Sequence, residues 1–218
     1  MAMARSTDIR TRLLDDIASG GIGPGDKLTI DELAQRYDAS HMPVREALRE
    51  LHGAGLLKQG SGRTMRLATL DRDTIENLFD TRAAIEVMLT RHAAQRFTRR
   101  DTAQLEEIEA DLEAAVDRHE NDDVLAANRR FHTAIYAIAR NEEANTIVER
   151  HWLFIRLLWS RVGFGSERYA GVVNDHRHLI RALSANDIEA AAVLMGAHVI
   201  KAKYELLQRM ALSTTKDS

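Results

Sequence analysis

Apolar residues recur at intervals of three and four along most of this 218-residue chain, the spacing that places them on one face of an α-helix. Beyond residue 70 this pattern predicts six amphipathic helices separated by short polar segments. The helices are expected over residues 74–97, 102–119, 122–139, 144–162, 169–183 and 187–208. Proline occurs only at positions 24 and 43, so no proline interrupts a helix in this stretch. We therefore predict an antiparallel all-α bundle over residues 71–218.

The first 70 residues are patterned over shorter intervals and predict a different domain. One helix is expected over residues 9–18, a short second helix over residues 28–37, and a third helix from residue 41. The pattern over residues 58–67 predicts two short strands around a tip that contains glycine. Two short helices joined by a tight turn and followed by such a wing are typical of DNA-binding proteins. We predict a winged helix-turn-helix over residues 1–70.

The third helix has the features of a helix that reads DNA. Its apolar stripe consists of Val44, Ala47, Leu48 and Leu51. The opposite face consists of Met42, Arg45, Glu46 and Arg49. Ser40 is positioned to cap the start of the helix, Pro43 falls in its first turn, and Gly55 follows its end. A short helix with two arginines on its outer face suits the major groove of DNA.

Composition and charge limit how the chain can bind DNA. Its net charge is −3, and the first 70 residues carry ten Lys and Arg against nine Asp and Glu. DNA affinity must therefore come from a few placed arginines and from dimerisation, because no broad basic surface is available. The chain has no cysteine, no signal-peptide core and no long apolar run. We expect a cytoplasmic protein that does not cross a membrane.

The N-terminal pattern resembles the GntR family of bacterial transcriptional regulators. The resemblance rests on the order of the helices and the wing and on the Pro-Val-Arg-Glu-Ala-Leu run at residues 43–48. It implies a homodimer on a pseudo-palindromic operator. The DNA contacts that it implies are His41, Met42, Arg45, Arg49, Gly62 and Arg63. His41 and Met42 stand where the family more often has Arg and Thr, so the operator sequence does not carry over.

Four polar residues of the helical region have the spacing of a metal site. Asn128 and His132 are four positions apart in the sequence and therefore share one helix face. His176 and His198 lie on the last two predicted helices, which should run antiparallel, and this is compatible with their meeting in the bundle core. Imidazole nitrogens with one amide oxygen form a borderline donor set suited to Zn, Ni, Mn or Fe. The alternative is that each histidine is an ordinary, partly buried side chain.

The region from about residue 74 to 205 resembles the FCD domain, the C-terminal helical domain of FadR-type GntR regulators. In metal-binding members an acidic residue and three histidines hold the ion, which implies Asn128, His132, His176 and His198 here. Asn128 replaces the usual Asp and removes one negative charge from the ligands, which predicts weaker metal binding. The resemblance also places Arg82 at the effector pocket, where it can bind a carboxylate, form an ion pair with Glu86, or do both.

These observations predict a ligand-responsive repressor whose helical domain binds a small organic acid through a divalent metal. A DNA-binding regulator with a metal-free pocket, or with a helical domain that only dimerises, is the alternative. A metal-dependent hydrolase is a remote possibility, because three histidines on a metal also describe a hydrolytic site. The sequence contains no HExxH motif, no GxSxG motif and no phosphate-binding loop, which favours the regulator over the enzyme.

Overall fold

The computed structural model describes residues 6–23, 25–60, 64–69, 71–163 and 166–214. Its helices are α1 (Ser6–Ala18), α2 (Ile30–Tyr37), α3 (His41–Gly53), α4 (Arg72–Ala94), α5 (Arg99–Asp117), α6 (Asn121–Ala139), α7 (Glu142–Val162), α8 (Ser166–Ser184) and α9 (Ile188–Thr214). Its strands are β1 (Lys27–Leu28), β2 (Leu57–Gln59) and β3 (Met65–Leu67). The predicted fold class, a winged helix-turn-helix followed by an all-α region, is confirmed.

The chain divides into two compact units. The first comprises Met1–Thr74 together with Leu153–Arg161, a segment of α7. The second comprises Ile75–Trp152 and Val162–Ser218. The boundary between functional domains near residue 70 stays a prediction.

Helix α3 is the centre of the first unit, where α1, α2 and β2 all pack against it. Its predicted apolar stripe is buried, with Val44, Ala47 and Leu51 fully enclosed and Leu48 only 4% exposed. Helix α1 contributes another set of fully buried side chains, Ile9, Leu13 and Ile17. Each enclosed aliphatic side chain contributes about 1.5–3 kcal/mol, so this packing holds helices that are too short to be stable alone.

The wing is a three-stranded antiparallel sheet in the order β1-β3-β2. The two predicted strands pair with Leu57 opposite Leu67. Strand β1 was not expected, because the pattern predicts a turn and then the start of the second helix at residue 28. The structure instead places Leu28 in β1 and begins α2 at Ile30. Thr29 sets this boundary, since its side chain accepts a hydrogen bond from the backbone N–H of Glu32.

The end of α3 is fixed by Gly55, as the sequence predicts. Gly55 adopts a φ of +84°, which favours glycine. Its N–H donates to the carbonyl of His52, and the N–H of Leu56 donates to the carbonyl of Leu51. At the other end Ser40 occupies the cap position, but its side chain makes no capping hydrogen bond. The helix therefore begins where the sequence predicts, but the expected capping hydrogen bond from the Ser40 side chain is wrong.

Replacing Gly55 with alanine should lower the stability of the first unit, whereas replacing Gly53 should raise it. Gly55→Ala forces a side chain into the left-handed region, which costs about 1 kcal/mol. Gly53 lies in the last turn of α3 with no atom within 4 Å of an added Cβ, so Gly53→Ala should add about 0.4–1 kcal/mol. Thermal melts of the two variants should shift in opposite directions; equal shifts would contradict the assigned helix end.

The second unit is built from long helices that begin close to the predicted positions. Helix α5 packs against α6 and α8, and α8 packs against α9. A buried cluster joins α5, α6 and α8 through Leu112, Ala115, Val124, Ala127, Tyr169 and Val172. Among these helices several polar side chains are also buried: Arg82, Glu86, Thr90, Glu109, Asn128, His132, His176, His198 and Lys203. Because burying polar groups costs free energy, such a concentration of buried polar side chains indicates a functional site inside this unit.

Candidate functional site

Helix α3 presents the predicted DNA-contacting side chains on the surface of the first unit. Arg45 and Arg49 are exposed, and Met42 is 60% exposed, which is unusual for a large apolar side chain. Glu50, next to Arg49, is paired with Arg10 of α1 at 2.9 Å. The two arginines therefore lie on the exposed face of α3, which they share with the partly exposed Glu46.

His41, the first residue of α3, lies beside Asp31 of α2, with 3.3 Å between its Nε2 and the carboxylate. Both side chains are well exposed, so this contact contributes little to stability. Gly62 and Arg63, the predicted contacts of the wing, lie outside the described residues. The role of all six residues in DNA binding stays a prediction.

Three histidines from three helices meet in the interior of the second unit. His132 of α6, His176 of α8 and His198 of α9 are 1%, 0% and 5% exposed. One ring nitrogen from each lies within 4.8 Å of the others. Nε2 of His132 and Nε2 of His198 are 3.2 Å apart. The structure thus brings together the three histidines that the sequence singled out.

Each histidine has a carboxylate against its other ring nitrogen. Nδ1 of His132 lies 3.0 Å from Glu86, Nδ1 of His176 lies 2.7 Å from Glu109, and Nδ1 of His198 lies 3.3 Å from Asp175. Ionised carboxylates only accept hydrogen bonds, so they select the tautomer in which Nδ1–H donates. In a neutral imidazole this leaves the lone pair on Nε2. Carboxylates placed in this way are typical of metal-binding histidines.

Burial keeps His132 and His198 in the neutral form. It lowers the pKa of His132, an effect that Glu86 partly opposes, and it lowers the pKa of His198, where Asp175 opposes it. With Nδ1–H directed at the carboxylates, both Nε2 atoms carry lone pairs that face each other at 3.2 Å. Two lone pairs repel, whereas two nitrogens about 2.0–2.1 Å from a shared tetrahedral ion stand about 3.3 Å apart. The geometry fits a shared cation.

Unsatisfied polar atoms lie on the same residues. Asn128 is 9% exposed and lies one turn before His132 on α6. Among the described residues, neither its Oδ1 nor Nε2 of His176 has a hydrogen-bond partner. An unpaired buried polar atom costs about 1–3 kcal/mol, and coordination of an ion would remove that cost. Three imidazole nitrogens and one amide oxygen are compatible with Zn, Ni, Mn or Fe.

Arg82 lies beside this cluster and forms the predicted ion pair with Glu86, four residues later on α4. Its Nε donates to Oε1 of Glu86 at 2.6 Å, and both side chains are buried. Its guanidinium also stacks over the ring of Trp152, 4.8 Å from the centroid. Burial raises the pKa of Glu86, but Arg82 and His132 outweigh this effect and hold it at about 2. Glu86 is thus ionised and links Arg82 to the histidine cluster.

Sequence reasoning missed two of the three supporting carboxylates. Glu109 of α5 and Asp175 of α8 were not singled out, although both residues contact the histidines. A signal for Glu109 exists, because it occupies the buried face of α5 in phase with Leu105 and Leu112. A charged residue at an apolar position of a helix indicates a buried polar partner. Asp175 lies directly before His176 and gives no comparable signal.

Profiles of known protein families match both the N-terminal and the C-terminal part of the chain. The profile of the FCD domain matches residues 77–201, which is more than half of the chain. The profile described as bacterial regulatory proteins, gntR family, matches residues 5–66. The chain belongs to the GntR family, in the group that carries an FCD domain. The resemblance inferred from the sequence is confirmed.

Named relatives of this GntR-family chain are transcriptional regulators. The HTH-type transcriptional regulator McbR of Escherichia coli (strain K12) is 24% identical over 190 residues, 83% of each chain. The HTH-type transcriptional repressor GlaR of the same organism is 28% identical over 218 residues, which cover 91% of this chain and 94% of GlaR. The prediction of a transcriptional regulator that binds DNA, and not an enzyme, is confirmed.

The fold has counterparts among solved structures of the family. The structure of E. coli McbR/YncC superposes with a TM-score of 0.78 at 20% identity and covers 96% of this chain and 100% of that one. This similarity supports the fold. Within the described residues, none of the helices is long and apolar enough to span a membrane.

Proposed function

We propose that this regulator senses a small organic acid through a divalent metal held by Asn128, His132, His176 and His198. The observation that carries the proposal is the convergence of the three histidines, each with a carboxylate at Nδ1. That arrangement directs the Nε2 lone pairs toward one another, which is costly unless a cation or a proton lies between them. A bound divalent ion would supply positive charge for a carboxylate oxygen of the effector.

The charges around the cluster favour a cation there. Glu86 is neutralised by Arg82, and Asp175 is neutralised by Lys201 at 2.6 Å. Glu109 is 2% exposed, and His176 is its only ion-pair partner among the described residues. Burying a carboxylate whose one ion-pair partner is an imidazole costs free energy. A cation at Nε2 of His176 would polarise that ring toward Glu109 and so reduce the cost.

Arg82 is the proposed second contact of the organic acid. Its guanidinium is buried, pairs with Glu86 and lies over Trp152. A planar guanidinium binds a carboxylate through paired hydrogen bonds, and its attraction for an anion is stronger in the protein interior than in water. The ion pair with Glu86 does not prevent this role, because arginine has five N–H donors.

The regulator would act as a homodimer on a pseudo-palindromic operator in the cytoplasm. A dimer places two copies of α3 in successive major grooves, with Arg45 and Arg49 at the bases and the wing, including Gly62 and Arg63, at the backbone. The effector would change DNA affinity only by binding the two dimer states unequally. We propose repression relieved by ligand, and the name of the relative GlaR, a transcriptional repressor, supports the repression.

Restoring the missing carboxylate should strengthen metal binding. Asn128→Asp adds a negative charge at the proposed ligand position, so the zinc dissociation constant should fall at least about tenfold. Competition with a coloured chelator measures this constant. Asn121→Asp, an equal change at an exposed position of α6, is the control and should leave it unchanged. If Asn128→Asp binds zinc no more tightly than the parent, Asn128 is not a ligand.

A further inference from the structure

One large apolar side chain of the first unit is exposed to solvent. Met42 is 60% exposed, whereas Val44 and Leu51 of the same helix are fully enclosed. Among the residues that the structure describes in this unit, no other large hydrophobic side chain is comparably exposed. A single exposed apolar side chain carries no argument by itself, so the position of Met42 on α3 decides what it means.

Met42 lies in the middle of the outward face of α3. A helix turns about 100° per residue, which places Met42 almost directly opposite the buried stripe of that helix. The exposed Arg45 and Arg49 lie to one side of it, and the partly exposed Glu46 lies to the other. Met42 also belongs to the first turn, and the N-terminal residues of a recognition helix are those that contact base edges. When α3 enters a major groove, Met42 therefore faces the base pairs.

The chemistry of methionine restricts which base pair it can contact favourably. Its side chain has no donor and only a weak acceptor, so it forms no strong hydrogen bond with a base. The hydrogen-bonding groups of a G·C pair, N7, O6 and the N4 amine, would lose water to methionine without gaining a partner. A T·A pair presents the C5 methyl group of thymine in the major groove. Contact between two apolar groups therefore favours thymine at this position.

We propose that Met42 reads the C5 methyl group of a thymine, so that each half-site of the operator contains a T·A pair. This inference rests on the proposed function, since it requires α3 to lie in the major groove. A helix rises about 1.5 Å per residue, so the α-carbons of Met42 and Arg45 are about 4.5 Å apart along the axis of α3. Successive base pairs are about 3.4 Å apart. The thymine is therefore expected within two base pairs of the pair that Arg45 contacts.

The test removes only the methyl group from the DNA. An operator is selected from random DNA with the full-length protein, and each thymine of its half-sites is replaced in turn by deoxyuridine, which lacks the C5 methyl. Dissociation constants are measured at one fixed salt concentration. At one thymine position the parent should lose about fourfold in affinity per half-site, and about fifteenfold when both half-sites are changed. These losses correspond to the burial of one methyl group in each half-site.

Two protein variants assign the loss to Met42. Met42→Ala shortens the side chain at an exposed position, and alanine favours the helix. This variant should bind the operator and its deoxyuridine form about equally well. Val193→Ala is the matched control, because it shortens an apolar side chain that is 66% exposed on α9 of the second unit. The control should keep the fourfold loss of the parent.

The outcomes separate the thymine contact from the docking of α3, which Arg45→Ala tests independently. Suppose that Arg45→Ala loses specific binding, but deoxyuridine costs the parent nothing or costs Met42→Ala as much as the parent. Helix α3 then still reads DNA, and the thymine contact is overturned. A selected operator without a thymine in each half-site overturns it as well. If Arg45→Ala binds the operator as tightly as the parent, the docking of α3 fails and the thymine contact fails with it.

Discussion

Replacing Arg45 with alanine should reduce operator binding by about thirtyfold to twenty-thousandfold without changing the fold. An arginine that reads a base contributes about 1–3 kcal/mol, and a homodimer loses two of them. The side chain is exposed on α3, and the buried stripe of that helix lies on the opposite face. Its removal therefore leaves the packing of Val44 and Leu51 intact, and the loss of binding reports a contact with DNA.

The operator for this measurement is selected from random DNA with the purified protein, and the affinity is measured at a fixed salt concentration. Arg130→Ala is the matched control, because it removes an exposed arginine, paired with Asp111, from the second unit. The control should bind the operator as the parent does. Unchanged specific binding by Arg45→Ala would contradict the assignment of α3 as the recognition helix.

Replacing His198 with alanine should remove the metal while leaving the second unit folded. Loss of one ligand should weaken zinc binding by at least about a hundredfold, since even removal of a supporting residue costs about ten- to hundredfold. His198 is the best position for this test. Its partner Asp175 keeps an ion pair with Lys201 after the change, whereas His176→Ala would leave Glu109 buried without its ion-pair partner.

The readout is the melting temperature with and without zinc. At a free zinc concentration a hundred times the dissociation constant, the parent should gain about 2.7 kcal/mol of stability, and His198→Ala should gain almost none. His178→Ala is the control, since its Nδ1 bonds within α8 to the carbonyl of Asn174 and its side chain is exposed. Equal zinc stabilisation of parent and His198→Ala would contradict a metal site built on the three histidines.

Most of the fold could be predicted from the sequence, because helical periodicity and the absence of proline after residue 43 determine where helices form. The ends were less predictable. Helix α5 begins at Arg99 and not at residue 102, because Thr98 and Asp101 form a capping box at its start. The sequence pattern predicted only a polar segment between two helices at this point. Helix α9 continues to Thr214, six residues beyond the predicted end. Strand β1 depends on pairing with the distant β3, which local pattern does not reveal.

The histidines of the site could be singled out because family resemblance and spacing agreed on them. Their supporting carboxylates were harder to predict, since Glu109 and His176 are 67 residues apart and meet only through the packing of α5 against α8. The sequence left two roles open for Arg82. The structure shows the ion pair with Glu86, and the carboxylate-binding role remains a proposal. Pairings over such distances depend on tertiary packing, which one sequence does not specify.

The most direct test of the metal-dependent sensor is the metal content of untagged protein, measured by mass spectrometry before and after treatment with a chelator. The proposed site predicts close to one divalent transition-metal ion per chain in the parent, removed by chelator and restored by added metal. His198→Ala should contain almost none, and His178→Ala should match the parent. A parent protein that contains no metal and binds none when it is supplied would contradict the metal site and leave the cluster with a structural role.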